Sequence, residues 1–146
     1  MRIYLDTSVL NRPFDDQTQA RVHLETEAFL TVLDYVMSGR FSLINSAVLI
    51  FENQANPFPE RQTSVQDYLS LASAVINMTP AIRDRGRVLE SLGFKPIDAL
   101  HIAAAEQGQA EVLVTCDDGL IKTAQRHAGI LQVTVMSVLR FIAEEI

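Results

Sequence analysis

Short apolar runs alternate with longer amphipathic stretches along this chain. Apolar runs of a few residues that end at polar or turn-forming residues are typical of buried strands. Because the stretches between the runs show helical spacing, the pattern predicts an α/β sandwich with a mainly parallel central sheet. The predicted strands are Ile3–Leu5, Phe41–Asn45, Val112–Thr115 and Gln132–Met136.

The longest predicted helix covers Thr18–Ser38. Its apolar residues, among them Val22, Phe29 and Leu33, fall on one stripe, and Gly39 follows as a C-cap. Further helices are expected wherever a capping residue or a proline precedes a periodic segment. These are a short helix that Ser46 caps and that contains Glu52, a helical pair over Asp67–Leu92, an alanine-rich helix from Pro96 to about Gln107, Gly119–His127, and a terminal helix from Ser137.

Length and composition predict one soluble globular domain. The chain has 146 residues, of which 48% are hydrophobic and 21% charged. Met1–Leu5 lacks the pattern of a secretory signal, and no apolar run approaches a membrane span. The single cysteine, Cys116, excludes an internal disulfide and fits a reducing compartment. We therefore expect a cytoplasmic protein without a membrane partner.

The net charge of −6 argues against broad, sequence-independent coating of nucleic acid. Such binding depends on a positive surface field and on the release of counterions. The total does not exclude a nucleic-acid enzyme, since acidic residues gathered at one site would leave the rest of the surface closer to neutral. A basic partner protein is another explanation of the acidity.

Acidic residues recur where apolar runs end. Asp6 and Asp117 follow predicted strands, Glu52 follows the apolar segment Ala47–Phe51, and Asp98 lies in the first turn of a predicted helix. Ligands of parallel α/β folds gather at the carboxyl ends of strands. Ionised carboxylates beside a core are costly without a compensating charge, and a divalent cation is the simplest candidate.

Magnesium and manganese are hard ions that take oxygen ligands and keep several waters for chemistry. Carboxylates at strand ends and helix starts meet that need. The chemistry that follows is metal-assisted phosphodiester hydrolysis, in which water is the nucleophile and no covalent intermediate is required.

Four segments of the chain resemble the sequence blocks of the PIN domain family. They are Leu5–Asn11, Ser46 with Glu52 downstream, Pro96–Ala105 and Val114–Asp118. Their order and spacing fit across nearly the whole chain. The resemblance implies a single PIN-like domain over residues 1–146, built as a three-layer α/β/α sandwich with the helical pair as an insertion.

The resemblance also implies a function. It implies an endoribonuclease that depends on Mg²⁺ or Mn²⁺ and, for a small bacterial single-domain member, the VapC-type toxin of a type II toxin–antitoxin pair. The expected partners are an RNA substrate, a small antitoxin protein and, because PIN-like proteins often pair, a second copy of the chain. Single-stranded or loop RNA is the expected substrate, since it exposes a phosphodiester to a recessed site more readily than a duplex does.

Site residues carry over from the family position by position. The resemblance makes Asp6 and Asp98 the principal metal ligands, Glu52 a ligand or an orienter of water, and Asp117 the fourth acidic member of the catalytic set. Supporting residues around them are Thr7, Ser8, Asn11, Thr115 and Asp118. Candidates for binding RNA phosphates, or else ordinary surface cations, are Arg12, Arg61, Lys122 and Arg126. The chain departs from the commonest family pattern at 12–16, which suggests a subfamily with a different substrate.

Plainer interpretations stand beside these. Asp6 could simply cap a helix, and Asp98 could simply stabilise a helix dipole. His101 lies one turn after Asp98 but is more typical of a histidine satisfied at the edge of a core, so it stays outside the predicted catalytic set. Cys116 has no base beside it and is expected to fill space.

Two other functions remain open from sequence. One is a non-catalytic PIN-fold module that binds RNA or protein. The other is a phosphotransferase with Asp6 as the nucleophile, although that role usually asks for an acidic residue where Ser8 stands.

Overall fold

A five-stranded sheet forms the centre of the computed structural model, which describes all residues from 1 to 146. The strands lie in the spatial order β3-β2-β1-β4-β5, and every neighbouring pair is parallel. The predicted α/β class is therefore confirmed, and the sheet is entirely rather than mainly parallel. The strands are β1 Arg2–Leu5, β2 Ser42–Ser46, β3 Ala74–Ile76, β4 Val112–Thr115 and β5 Thr134–Ser137.

Eight α-helices and one 3-10 turn, Arg12–Phe14, connect the strands. The predicted long helix, the Ser46-capped helix and the three helices after Pro96 are all present within a few residues of their expected bounds. The helices are α1 Thr7–Leu10, α2 Ala20–Met37, α3 Ala47–Gln54, α4 Pro59–Leu69, α5 Pro80–Ser91, α6 Pro96–Gln107, α7 Asp118–Arg126 and α8 Val138–Glu145.

Both faces of the sheet are covered. Ile3, Tyr4 and Leu5 are each 0% exposed, although successive side chains of a strand point to opposite faces. Burial on both faces is typical of parallel sheets with helices on either side. The predicted three-layer α/β/α sandwich is confirmed.

Of the predicted helical pair over Asp67–Leu92, the first helix is wrong, and the second, which Thr79 caps, is confirmed as α5. Helix α4 ends at Leu69, and Ala74–Ile76 form the edge strand β3 before α5 begins. Apolar residues in this stretch happen to fall at helical spacing, but β3 pairs with β2 and leaves Val75 half exposed. Backbone pairing with a strand that is distant in sequence outweighs the local pattern.

The carboxyl ends of β1 and β4 lie side by side. Leu5 pairs with Val114, and the backbone nitrogen of Asp6 donates to the carbonyl of Val114 at 3.1 Å. Residues that follow the two strands are thereby brought together at one end of the sheet. None of the helices combines the length and apolar character that crossing a bilayer requires.

Candidate active site

Asp6 lies at the carboxyl end of β1, where it also caps α1. Its side chain is buried and accepts hydrogen bonds from Ser8 Oγ at 2.5 Å, Thr115 Oγ1 at 2.6 Å and the backbone nitrogen of Val9 at 3.3 Å. Burial raises the pKa of Asp6, and the hydrogen bonds from Ser8 and Thr115 oppose that rise. The protein therefore holds this carboxylate in one orientation, with donors on both oxygens.

The two hydroxyls that hold Asp6 are themselves fixed by the segment after β4. The backbone nitrogen of Cys116 donates to Ser8 Oγ at 2.9 Å, and that of Asp117 donates to Thr115 Oγ1 at 3.0 Å. Each hydroxyl thus donates to Asp6 and accepts from the backbone. Ser8 and Thr115 lie where the sequence predicts supporting residues.

Glu52 faces the same end of the sheet from α3. Thr7 Oγ1 donates to Glu52 Oε1 at 2.6 Å, and His101 Nε2 lies 2.8 Å from the same oxygen. Burial alone would raise the pKa of Glu52, but the hydrogen bonds from His101 and Thr7 outweigh it and lower that pKa. Oε1 is thus committed to the protein, and Oε2 is left for a ligand or water. Asn11 acts on this pair only through the Thr7 carbonyl, to which its Nδ2 donates at 2.9 Å.

His101 is the residue that sequence reasoning left out. Besides Glu52, it contacts Tyr4, whose hydroxyl lies 2.7 Å from His101 Nδ1, and the Tyr4 hydroxyl in turn lies 2.6 Å from Ser46 Oγ. The side chains of Tyr4, Ser46 and His101 are all buried. Helical spacing places His101 on the same face of α6 as Asp98, which is the signal that could have found it.

The buried network around His101 is satisfied in one direction only. Ser46 Oγ accepts from the backbone nitrogen of Leu49 at 3.1 Å, and the Tyr4 oxygen is the one acceptor that its proton can reach. The Tyr4 proton then goes to Nδ1 of His101, and Nε2 carries the proton that is donated to Glu52. Hydrogen bonding thereby assigns the Nε2–H tautomer to His101.

Asp98 lies in the first turn of α6 and is half-buried. Burial, followed by the charges of Asp117 and Asp6, raises its pKa to about 6, against smaller opposing effects of His101 and Lys95. No hydrogen bond from the protein offsets the burial. Asp98 is therefore the carboxylate at this end of the sheet that accepts no hydrogen bond from the protein.

Asp117 and Asp118 take different roles at the start of α7. Asp117 is the cap: its Oδ1 accepts from the backbone nitrogens of Gly119 and Leu120 at 2.8 and 3.2 Å, and its charge acts on Asp98. Asp118 points away and pairs with Arg21 at 2.8 Å, with both side chains at least half exposed. The predicted supporting role of Asp118 beside the site is not what its contacts indicate.

The predicted RNA-binding cations fall into two groups. Arg12 binds Glu25 at 2.8 Å and Asp15 at 3.1 Å, and Arg61 donates to the carbonyl of Phe14 at 2.7 Å. These two arginines fasten the segment after α1 to α2 and α4. Lys122 and Arg126, by contrast, are exposed on α7 and make no salt bridge.

Cys116 matches its predicted role as a space-filling residue. It is buried, and burial raises the pKa of its thiol well above the ordinary value. The thiol therefore stays protonated and is a poor nucleophile.

The acidic residues provide fewer protein ligands than a complete metal site would need. Nowhere in residues 1–146 do three or more His, Cys, Asp or Glu side chains converge at a spacing that would hold one metal ion. Magnesium is usually bound through one or two carboxylates, with water and substrate phosphate as the other ligands. Asp98 lies near the negative charges of Asp6 and Asp117, so one or two of these carboxylates could supply the protein ligands that magnesium needs. Which of the four acidic residues bind metal stays a prediction.

Comparison with known proteins gives one family and a shared fold. Residues 3–126 match the family model described as "PIN domain". No curated protein matches the chain.

Two solved structures share its fold at low sequence identity. The first is VapBC2 from Rickettsia felis bound to a DNA fragment from their promoter, with 13% identity, a TM-score of 0.56, and coverage of 94% of this chain and 98% of that one. The second is PAE2754 from Pyrobaculum aerophilum, with 15% identity, a TM-score of 0.54, and coverage of 98% and 88%.

Proposed function

The chain belongs to the PIN domain family, and from that premise we propose that it is an endoribonuclease that depends on Mg²⁺ or Mn²⁺ and hydrolyses phosphodiester bonds in RNA. Nuclease activity is what the family generally implies. The observation that carries the proposal is that Asp6, held by three hydrogen bonds, lies close enough to Asp98, which accepts none, for their charges to repel each other at the carboxyl end of the sheet.

Each acidic residue has a role within this proposal. Asp6 and Asp98 would hold the cation, with Asp117 adding negative charge beside them. Glu52 would orient a water through Oε2, because Thr7 and His101 keep Oε1 occupied. The chemistry that a bound cation supplies is charge neutralisation at the phosphate and Lewis-acid activation of water.

We also propose that the chain is the toxin of a type II pair and binds a small antitoxin protein. The sequence blocks that resemble those of the PIN family and the fold shared with a VapBC2 structure support this partner. A homodimer, a cytoplasmic location and the organisation of residues 1–146 as a single domain belong to the same proposal.

A cleavage assay tests the enzymatic claim. Purified protein is incubated with labelled single-stranded RNA in Mn²⁺ and, separately, in EDTA, and the products are resolved by size. We expect cleavage only with metal. Asp98→Asn should reduce the rate by more than about 100-fold, beyond the roughly 10- to 100-fold that is typical of losing a residue that only supports a ligand.

Asp118→Asn is the matched control, since Asp118 is a neighbouring acidic residue whose carboxylate pairs with Arg21. It should leave the cleavage rate unchanged. RNA binding without cleavage, together with equal behaviour of the wild type and Asp98→Asn, would contradict the enzymatic claim and favour a non-catalytic binding module.

A further inference from the structure

An open groove leads away from the candidate active site. It includes a cavity of about 380 Å³ whose lining residues include Thr7 and Glu52 as well as Phe58 and Arg61. A second cavity, of about 460 Å³, shares Phe58 and Arg61 with the first and adds Phe14. The two cavities therefore form one surface that starts at a proposed catalytic carboxylate.

The middle of this groove is a platform of one aromatic ring and one guanidinium. Phe58 is 54% exposed, although it is a large apolar residue. The guanidinium carbon of Arg61 lies 4.8 Å from the centre of the Phe58 ring and 5.9 Å from that of Phe14. Because Arg61 is fixed by its hydrogen bond to the Phe14 carbonyl, the platform is ordered before any ligand arrives. Exposed aromatic rings and arginine planes are the surfaces on which unpaired bases stack.

Side-chain amides line the same cavity as Glu52 and Phe58. Asn56 Nδ2 donates to Asn11 Oδ1 at 3.1 Å, and Asn11 Nδ2 donates to the Thr7 carbonyl. Each amide nitrogen has two N–H groups, so each retains one for a ligand. Asn53 also lines the cavity, and its Oδ1 is the one buried side-chain oxygen or nitrogen of the chain without a hydrogen-bond partner. The lining thus offers neutral N–H donors to a ligand, and one of its oxygens, Asn53 Oδ1, has no donor from the protein.

These features favour a neutral ring with polar edges over a phosphate. The only cation in the lining, Arg61, already contacts Asp15 at 3.5 Å and the Phe14 carbonyl at 2.7 Å. The carboxylate of Glu52 faces the same cavity and would repel a phosphate.

We propose that this groove binds one unpaired nucleobase of the RNA substrate, stacked on Phe58 and next to the phosphate that is cleaved. The proposal rests on the proposed function for its choice of RNA. Binding of a base at a fixed distance from Glu52 would place a particular phosphodiester at the carboxylates, which makes the groove a determinant of the cleavage position.

Binding of labelled single-stranded RNA, measured by fluorescence anisotropy in the non-cleaving Asp98→Asn background, tests the proposal. Phe58→Ala should weaken binding by about 5- to 150-fold, the range typical of losing one stacked base. Phe58→Trp should keep the affinity, and Phe58→Leu, which retains apolar bulk but not the ring, should lose it. Phe51→Ala is the matched control, because Phe51 is 67% exposed on the adjacent α3 but lines a separate apolar cavity.

A scan with abasic oligonucleotides identifies the stacked base. At one position, removal of the base should weaken binding to protein that retains Phe58 as much as Phe58→Ala weakens the binding of intact RNA. For that abasic RNA, Phe58→Ala should cause no further loss of affinity. Equal losses from Phe58→Ala on intact and abasic RNA at every position would overturn the proposal. Equal effects of the Phe58 and Phe51 changes would also overturn it and would leave the groove to a protein partner.

The two proposals fail separately. If base binding depends on Phe58 but the wild-type protein cleaves no RNA in Mn²⁺, only the nuclease proposal is contradicted. Cleavage that is indifferent to Phe58 and to abasic positions would contradict only the nucleobase site.

Discussion

Asp6 and Asp98 are aspartates at the same end of the sheet, yet their surroundings differ. Asp6 accepts hydrogen bonds from two hydroxyls and one backbone nitrogen. Asp98 accepts none and instead faces Asp117 and Asp6, so that burial and like charge raise its pKa to about 6. The protein supplies hydrogen-bond donors to one carboxylate and none to the other, which is the arrangement expected if the proposed cation binds at Asp98.

Glu52, like Asp6, is held by hydrogen bonds from neighbouring side chains. Thr7 and His101 converge on one oxygen of Glu52, and the chain of hydrogen bonds continues through Tyr4 to Ser46. Donors that are fixed before a ligand binds hold a carboxylate in position at no further entropic cost. The contrast therefore separates a half that the protein orders by hydrogen bonds from a half in which we propose that a cation binds.

Asp6→Asn should show the largest loss of stability. An amide nitrogen in place of one oxygen faces hydroxyl donors of Ser8 and Thr115, so at least one charge-assisted hydrogen bond is lost. We expect the lost hydrogen bond to lower the free energy of unfolding by about 1.5–3 kcal/mol, part of which is regained because the substitution removes a charge whose burial raises the pKa of Asp6. Urea denaturation of metal-free protein measures it, and an unchanged midpoint would show that the hydroxyls do not stabilise the carboxylate.

Tyr4→Phe should have the next largest effect. It removes the hydroxyl between Ser46 and His101, which leaves a buried proton of Ser46 without an acceptor and His101 Nδ1 without a donor. We expect a loss of about 1–2 kcal/mol in the free energy of unfolding. Tyr35→Phe is the control, because its hydroxyl lies outside the network. Equal effects of the two changes would contradict the directed chain of hydrogen bonds.

Asp98→Asn should change stability in the opposite direction. In metal-free protein near neutral pH it removes a half-buried charge that two other carboxylates repel. We expect a gain on the order of 1 kcal/mol after allowance for screening and for the lost interaction with the dipole of α6. A fall in the free energy of unfolding as large as that expected for Asp6→Asn would contradict the proposed difference between the two aspartates.

The pH dependence follows from the same carboxylate. The pKa of Asp98 rises from 3.8 to about 6 on folding, so the folded state holds this proton more tightly than the unfolded state. The free energy of unfolding of metal-free protein should therefore fall as pH rises between about 4 and 6, and level off above that window. Denaturation at a series of pH values measures the slope. Asp98→Asn should reduce the slope and leave a remainder of the same sign from Asp6, whose pKa burial also raises. A slope that Asp98→Asn leaves unchanged would contradict the assignment to Asp98.

Sequence indicates the Asp6 side of the site better than the rest because its partners are local. Thr7 and Ser8 follow Asp6 directly, and Thr115 lies at the end of the neighbouring strand. Strand ends can be read from short apolar runs, and parallel topology brings them together. The fold class follows from the same pattern.

Other features depend on contacts between distant segments. The interaction of His101 with Glu52 joins residues 49 positions apart and exists only because α3 packs near α6. Asp118 turns away because Arg21, on α2, attracts it. Strand β3 forms because β2 offers an unpaired edge. None of these partners is visible in the local pattern of the sequence.

Mn²⁺ titration of the wild type and of Asp98→Asn, followed by thermal denaturation, tests most directly whether a cation completes the site. The wild type should gain about 2.7 kcal/mol when Mn²⁺ reaches roughly 100 times its dissociation constant, and Asp98→Asn should gain far less at the same concentration. The control variant Asp118→Asn should behave as the wild type. Equal stabilisation of the wild type and Asp98→Asn, or no stabilisation of either, would contradict the account.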